Sequence, residues 1–152
     1  MVVHVTPPDS GEEQQAAAAE FDVFACACPS RSTLEHITGR WGILVLGGLR
    51  GGALRFNALR RRVDGISEKM LSQTLQSLER DGFVLRDVRT TIPPRVEYSL
   101  TPLGDQTATR LLDLIGHLVA NMPEVLAAQR RYDSGLSGGY SQPAMPTPVS
   151  RT

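Results

Sequence analysis

Apolar residues recur along this chain with two spacings, and the places where the spacing changes mark its elements. Leu34, Ile37 and Trp41 build the way into the folded part, with Gly39 ending the first segment. Trp41 to Leu49 is then apolar almost all round, as expected of a helix at the centre of a domain. Phe56, Leu59 and Val63 follow at i, i+3 and i+7, one face of a short helix from which Arg60, Arg61 and Arg62 point mostly away. Asp64-Gly65 supplies a turn, Ser67 caps the next helix and Glu68 suits its first turn. Leu71, Leu75 and Leu78 bury one side of that helix, and Gly82 ends it. Beyond Gly82 the period falls to 2: Val96, Tyr98 and Leu100 alternate with Arg95, Glu97 and Ser99, a hairpin strand. Pro93 and Pro94 cannot donate to a ladder and belong at the hairpin tip or edge. Thr101 and Pro102 open a last helix as cap and first helical residue, and its stripe runs Leu111, Leu114, Ile115, Leu118, Val119 and Met122.

A short helix, a Gly turn, a second amphipathic helix and a proline-tipped hairpin, in that order, make a winged helix-turn-helix. The expected class is mainly α with a small β-hairpin (α+β), dimerising through terminal helices. Such a unit turns a polar helix face and a basic hairpin arm to one side, the shape that enters a DNA groove and straddles its backbone. The candidate contacts on the second helix are Ser67, Lys69, Met70, Ser72, Gln73 and Gln76, with Lys69 and Gln73 the first choices for base or near-base contact. Arg55, Asn57, Arg60 and Arg61 join them from the first helix, and Arg89, Thr90, Thr91 and Arg95 from the wing. Elsewhere a run such as Arg60 to Arg62 is as readily a solvated face, and only its place beside the motif favours DNA. The stripe from Leu111 to Met122 reads either as intradomain core or as more than a domain this small would cover. The second reading favours a homodimer, with two reading helices on successive turns of DNA.

The chain is 152 residues long and carries no formal net charge, which at first argues against a nucleic-acid partner. The average hides a division: residues 31–110 hold 13 Lys and Arg against 8 Asp and Glu, whereas residues 1–30 hold five acids and neither Lys nor Arg. A phosphate meets the local potential, so the basic segment carries the argument. Composition suggests an acidic flexible tail over 1–25, the winged domain with its dimerisation helices over 26–131, and a disordered Gly/Ser/Pro-rich tail over 132–152. No apolar run approaches the roughly 18 residues of a membrane span and no secretory signal is present, so a cytoplasmic protein is expected. Cys26, Cys28 and His36 lack the paired spacing and fourth ligand of a zinc site. No phosphate loop, paired His or activated nucleophile stands out, so neither metal, cofactor nor enzymatic activity is expected. The rival class is a winged domain used for protein contacts without specific DNA binding, which would show little dependence on salt.

Cys28 precedes Pro29 and Ser30 at the start of a helix that opens with Arg31, where a dipole and a cation would favour the thiolate. The alternative is a small buried side chain that packs. The series Cys28-Pro29, Gly39-Arg40-Trp41, Arg55-Phe56-Asn57, Gly65-Ile66-Ser67, Leu71, Leu75 to Leu78, Asp81-Gly82, Pro93 to Tyr98, Leu100-Thr101 and Gly104 resembles the HxlR-type branch of the MarR-like bacterial transcription regulators. It covers roughly residues 26 to 122. Two positions depart from the family pattern: Ala58 stands where an acid is frequent, and the last helix carries His117 without the tryptophan common nearby. The resemblance implies a sequence-specific regulator, read as a repressor, homodimeric on duplex DNA. Its second motif helix would lie in the major groove and its wing at the neighbouring minor groove or backbone. It also implies Cys28 as a candidate redox sensor, since several relatives respond there to oxidants or electrophiles.

Overall fold

The computed structural model describes residues 21–137, so most of the expected N-terminal tail, and the C-terminal tail from 138 onward, lie outside the described residues. The elements run α1 (Pro29–Thr38), α2 (Gly42–Leu49), β1 (Leu54–Arg55), α3 (Phe56–Arg62), α4 (Glu68–Arg80), β2 (Val84–Arg89), β3 (Arg95–Leu100), α5 (Pro102–Ala120) and α6 (Met122–Ser137). The chain divides into two compact units between Asp113 and Leu114.

The first unit is built around α4. Ser67 is extended (φ −75°, ψ 158°), and its Oγ accepts the Met70 N–H at 3.1 Å, satisfying one of the donors a helix start leaves over. Leu71, Leu75 and Leu78 are buried, together with Leu59 of α3, Val63 at its C-cap, and Val45, Leu46 and Leu49 of α2. Gly65 (φ 83°) makes the turn between α3 and α4 in a backbone region closed to most side chains. Gly82 (φ 82°) ends α4 the same way: its N–H bonds the Glu79 carbonyl at 3.1 Å and the Phe83 N–H bonds that of Leu78 at 2.9 Å, which brings Phe83 into the core. Thr101 then ties the next helix to this corner, accepting the Gly104 N–H (3.0 Å) and donating to the Gly82 carbonyl (2.6 Å).

Several expectations are corrected. The hairpin is the larger part of a three-stranded antiparallel sheet of order β1-β3-β2, in which Leu54 faces Tyr98 and Arg55 faces Glu97. The alternation expected along β3 does not appear as alternating burial: Val96 to Leu100 are all half-buried, because β3 is the central strand. Tyr98 and Leu100 do pack on the core. Leu34 is exposed, as is Leu44 in the helix expected to be covered all round.

In the second unit, which holds residues 114–137 of the described chain, the helix does not run through Met122 as the stripe suggested. It breaks at Asn121, whose side chain donates to the His117 carbonyl at 2.7 Å while its own carbonyl accepts from Glu124 and Val125 to start α6. Pro123 has no N–H to continue the ladder and its ring would strike the preceding turn. Beyond the break α6 continues past residue 131 to Ser137. Leu114, Leu118 and Val119 of the stripe are exposed, and Ile115 and Met122 are half-buried. No single helix among the described residues is long and apolar enough to cross a membrane.

Candidate nucleic-acid interface

The buried leucines of α4 leave its opposite side in water. Lys69, Ser72, Gln73 and Gln76 are exposed there, so an ammonium, a hydroxyl and two amides share one side of the helix; Ser67 is exposed as well, but as the cap residue four positions before Leu71. Met70 lies at the margin of this surface: it lines, with Gln73, Thr74 and Ser77, a cleft of about 290 Å³ shared with His36 and Trp41. Trp41 is also covered by the Arg40 guanidinium, 4.6 Å from its ring centroid.

The turn between α3 and α4 opens into a cleft of about 740 Å³ lined by Asn57, Arg60, Arg61, Ser67 and Glu68 together with Asp64, Gly65 and Ile66. Four of the residues expected to meet DNA are thus gathered at the start of α4. Arg55 stands before α3 as its cap residue, exposed and at the sheet edge. The sequence reading missed a feature of this cleft: Arg60 Nη1 lies 2.8 Å from Glu68 Oε1. The two are eight positions apart but on different helices with a turn between them, so the period of neither helix links them.

In the wing, Arg89 and Arg95 face each other across the ladder, like charges whose repulsion an anion would relieve. Arg89 is already engaged by Asp87 (3.2 Å) and Glu97 (3.8 Å), so the positive charge expected around the tip is in part neutralised, while Arg95 has no ion pair among the described residues. The tip is closed by Thr91, whose N–H bonds the Arg89 carbonyl and whose hydroxyl donates to the Pro93 carbonyl, both at 2.9 Å. Thr90 stays exposed beside it.

Cys28 is the cap residue of α1 and half-buried, with its Sγ 3.1 Å from Ser30 Oγ; Cys26 is exposed. Arg31, the cation expected to favour the thiolate, pairs with Glu35 (3.9 Å) and donates to the Phe24 carbonyl (3.5 Å). His36, which sequence reasoning weighed only as a metal ligand, sits near the far end of α1 with Nδ1 2.6 Å from Asp81 Oδ2. Asp81 is the C-cap of α4, so one short hydrogen bond ties the cysteine-bearing helix to the end of α4. Among the described residues no three His, Cys, Asp or Glu side chains gather as a metal site.

The HxlR-like helix-turn-helix family model matches residues 36–125. The chain is 52% identical over 110 residues to the HTH-type transcriptional regulator YtfH of Escherichia coli (strain K12), covering 72% of this chain and 87% of that one. Among solved structures, the transcriptional regulator ytfH from Salmonella typhimurium superposes with a TM-score of 0.69 at 50% identity, covering 73% of this chain and 99% of that one. The redox regulator HypR in its oxidised form superposes with a TM-score of 0.57 at 37% identity, covering 62% and 97%.

Proposed function

The chain belongs to the HxlR-like helix-turn-helix family, and from that premise we propose a DNA-binding transcriptional regulator that acts as a homodimer on an inverted repeat. The carrying observation is the exposed polar side of α4, set on three buried leucines and flanked by the Arg-lined cleft at one end and the wing. In this reading Lys69 and Gln73 meet base edges in the major groove. Arg55, Asn57, Arg61 and Arg95 meet the backbone. The exposed leucines of the C-terminal helices support the homodimer, and two-fold symmetry then sets half-site centres about 10 to 10.5 base pairs, or a multiple, apart.

Thiol control through Cys28 is the second part of the proposal. HypR is described as a redox regulator, and here Cys28 caps the helix whose other end is bonded to Asp81 on α4. Oxidation or alkylation at Cys28 would add bulk where α1 begins, and the His36–Asp81 bond gives that displacement a direct route to the reading helix.

Selection of bound duplexes from a random pool, repeated with reduced and oxidised protein, tests both parts. Enrichment of an inverted repeat is expected, with affinity falling by about 0.9 log units per log unit of salt for each phosphate neutralised. A flat salt response or a monomer at operator-binding concentrations would count against the regulator reading, and identical binding by both redox forms against thiol control.

A further inference from the structure

We propose that Glu68 limits the grip of this surface on DNA: its carboxylate holds Arg60 in an internal ion pair that a phosphate must displace. The inference rests on the DNA-binding reading above. Arg60 comes from α3 and Glu68 from the first turn of α4, and the turn at Asp64-Gly65 brings guanidinium and carboxylate to 2.8 Å. The pair is open to solvent, at 44% and 68% side-chain exposure, so it is no part of the core. It sits in the cleft with Asn57, Arg61 and Ser67, where the reading helix begins and a backbone phosphate would arrive.

The DNA-facing cations therefore fall into two groups. Arg60 is held by Glu68, and Arg89 by Asp87 and Glu97, whereas Arg61, Lys69 and Arg95 have no carboxylate within ion-pair distance among the described residues. An exposed ion pair is weak, so Glu68 competes for Arg60 without blocking it, and it leaves an anion beside the phosphate in either case. Attraction to the backbone is blind to sequence, and non-specific sites vastly outnumber specific ones. Holding back part of the positive charge keeps that blind term small beside the base contacts of Lys69 and Gln73.

The test measures binding of the full chain to a random-sequence duplex pool, and to the duplex wild-type protein selects from it, across salt concentrations. Glu68→Gln keeps the side-chain volume at an exposed position, and a thermal melt matching the wild type verifies its fold. For each reading helix engaged it is expected to tighten binding to both DNAs by about eightfold near 0.1 M salt and to steepen the salt slope by about 0.9, so a dimer with both helices on the duplex gains the square of that factor. Arg60→Gln is expected to cost less in the wild type, where Glu68 already competes for the guanidinium, than in the Glu68→Gln background. In the Glu68→Gln background it should remove the whole gain. An unchanged affinity and slope for Glu68→Gln, or a loss from Arg60→Gln that is equal in the two backgrounds, would overturn the proposal. So would a weakened preference of Glu68→Gln for the selected duplex, since the carboxylate would then be reading a cytosine amino group. Absence of salt-dependent binding by the wild type would instead remove the DNA-binding reading itself.

Discussion

The winged unit and the C-terminal helices use the same kind of amphipathic helix, yet only the first covers its own apolar face. In α4, Leu71 and Leu78 are fully buried and Leu75 is 2% exposed. In the stretch that begins at Leu114, Leu118 remains 51% and Val119 64% exposed, although these residues continue an equally regular stripe. Periodicity tells which face of a helix seeks cover, and the surroundings decide whether the chain itself supplies it. The contrast suits the proposed regulator: the winged unit carries its own core, while in the proposed homodimer association through the uncovered face would set the separation of the two α4 helices.

The largest test of that contrast compares one leucine from each region. Leu71→Ala should cost about 2 to 5 kcal/mol of folding stability by denaturant titration, the usual loss for a core leucine. Leu118→Ala should cost the isolated chain less than about 1 kcal/mol at dilute concentration, as an exposed site does. Equal losses would make the stripe ordinary core. Next in size, Leu114→Glu combined with Leu118→Glu should yield a folded monomer by analytical ultracentrifugation. Its affinity for the inverted repeat should fall by about 10² or more, because two half-sites are no longer held together.

Within the winged unit the helix and the wing should also separate. Gln73→Ala or Lys69→Ala should cost about 1 to 3 kcal/mol against the selected site and relax its sequence preference. Arg95→Ala should weaken all sequences alike and reduce the salt slope by about 0.9 per wing engaged. A wing variant that altered preference would mean that the wing reads bases or groove shape. The smallest basal effect is expected at Cys28. Cys28→Ser should bind DNA like reduced wild type yet lose the response to oxidant, while Cys26→Ser keeps most of it. A Cys28→Ser protein that still responds fully would return this residue to a packing role.

Much of the winged unit could be read from the chain because its determinants are local. Ser67, Gly65 and Gly82 cap and turn within a few residues of the helices they bound, and the leucines between them repeat at the period of the helix they form. Local rules failed where two of them competed. Pro123 announces a break near Asn121, but the apolar stripe runs on to Met122 and suggested continuity; the missing N–H prevailed because backbone pairing admits no substitute there.

Other features had no local signature. β1 is two residues long, too short to show a period, and exists because β3 offers it an edge. His36 meets Asp81 across 45 positions and Arg60 meets Glu68 across a turn, contacts that depend on where helices pack and not on what lies beside each residue. The same holds for charge. The amino acids alone establish a basic domain with a helix polar on one side, since composition and helical period are properties of the chain. Which arginines stand free and which are held by carboxylates follows only from the fold, because Coulomb attraction between side chains depends on distance in space and is indifferent to distance in sequence.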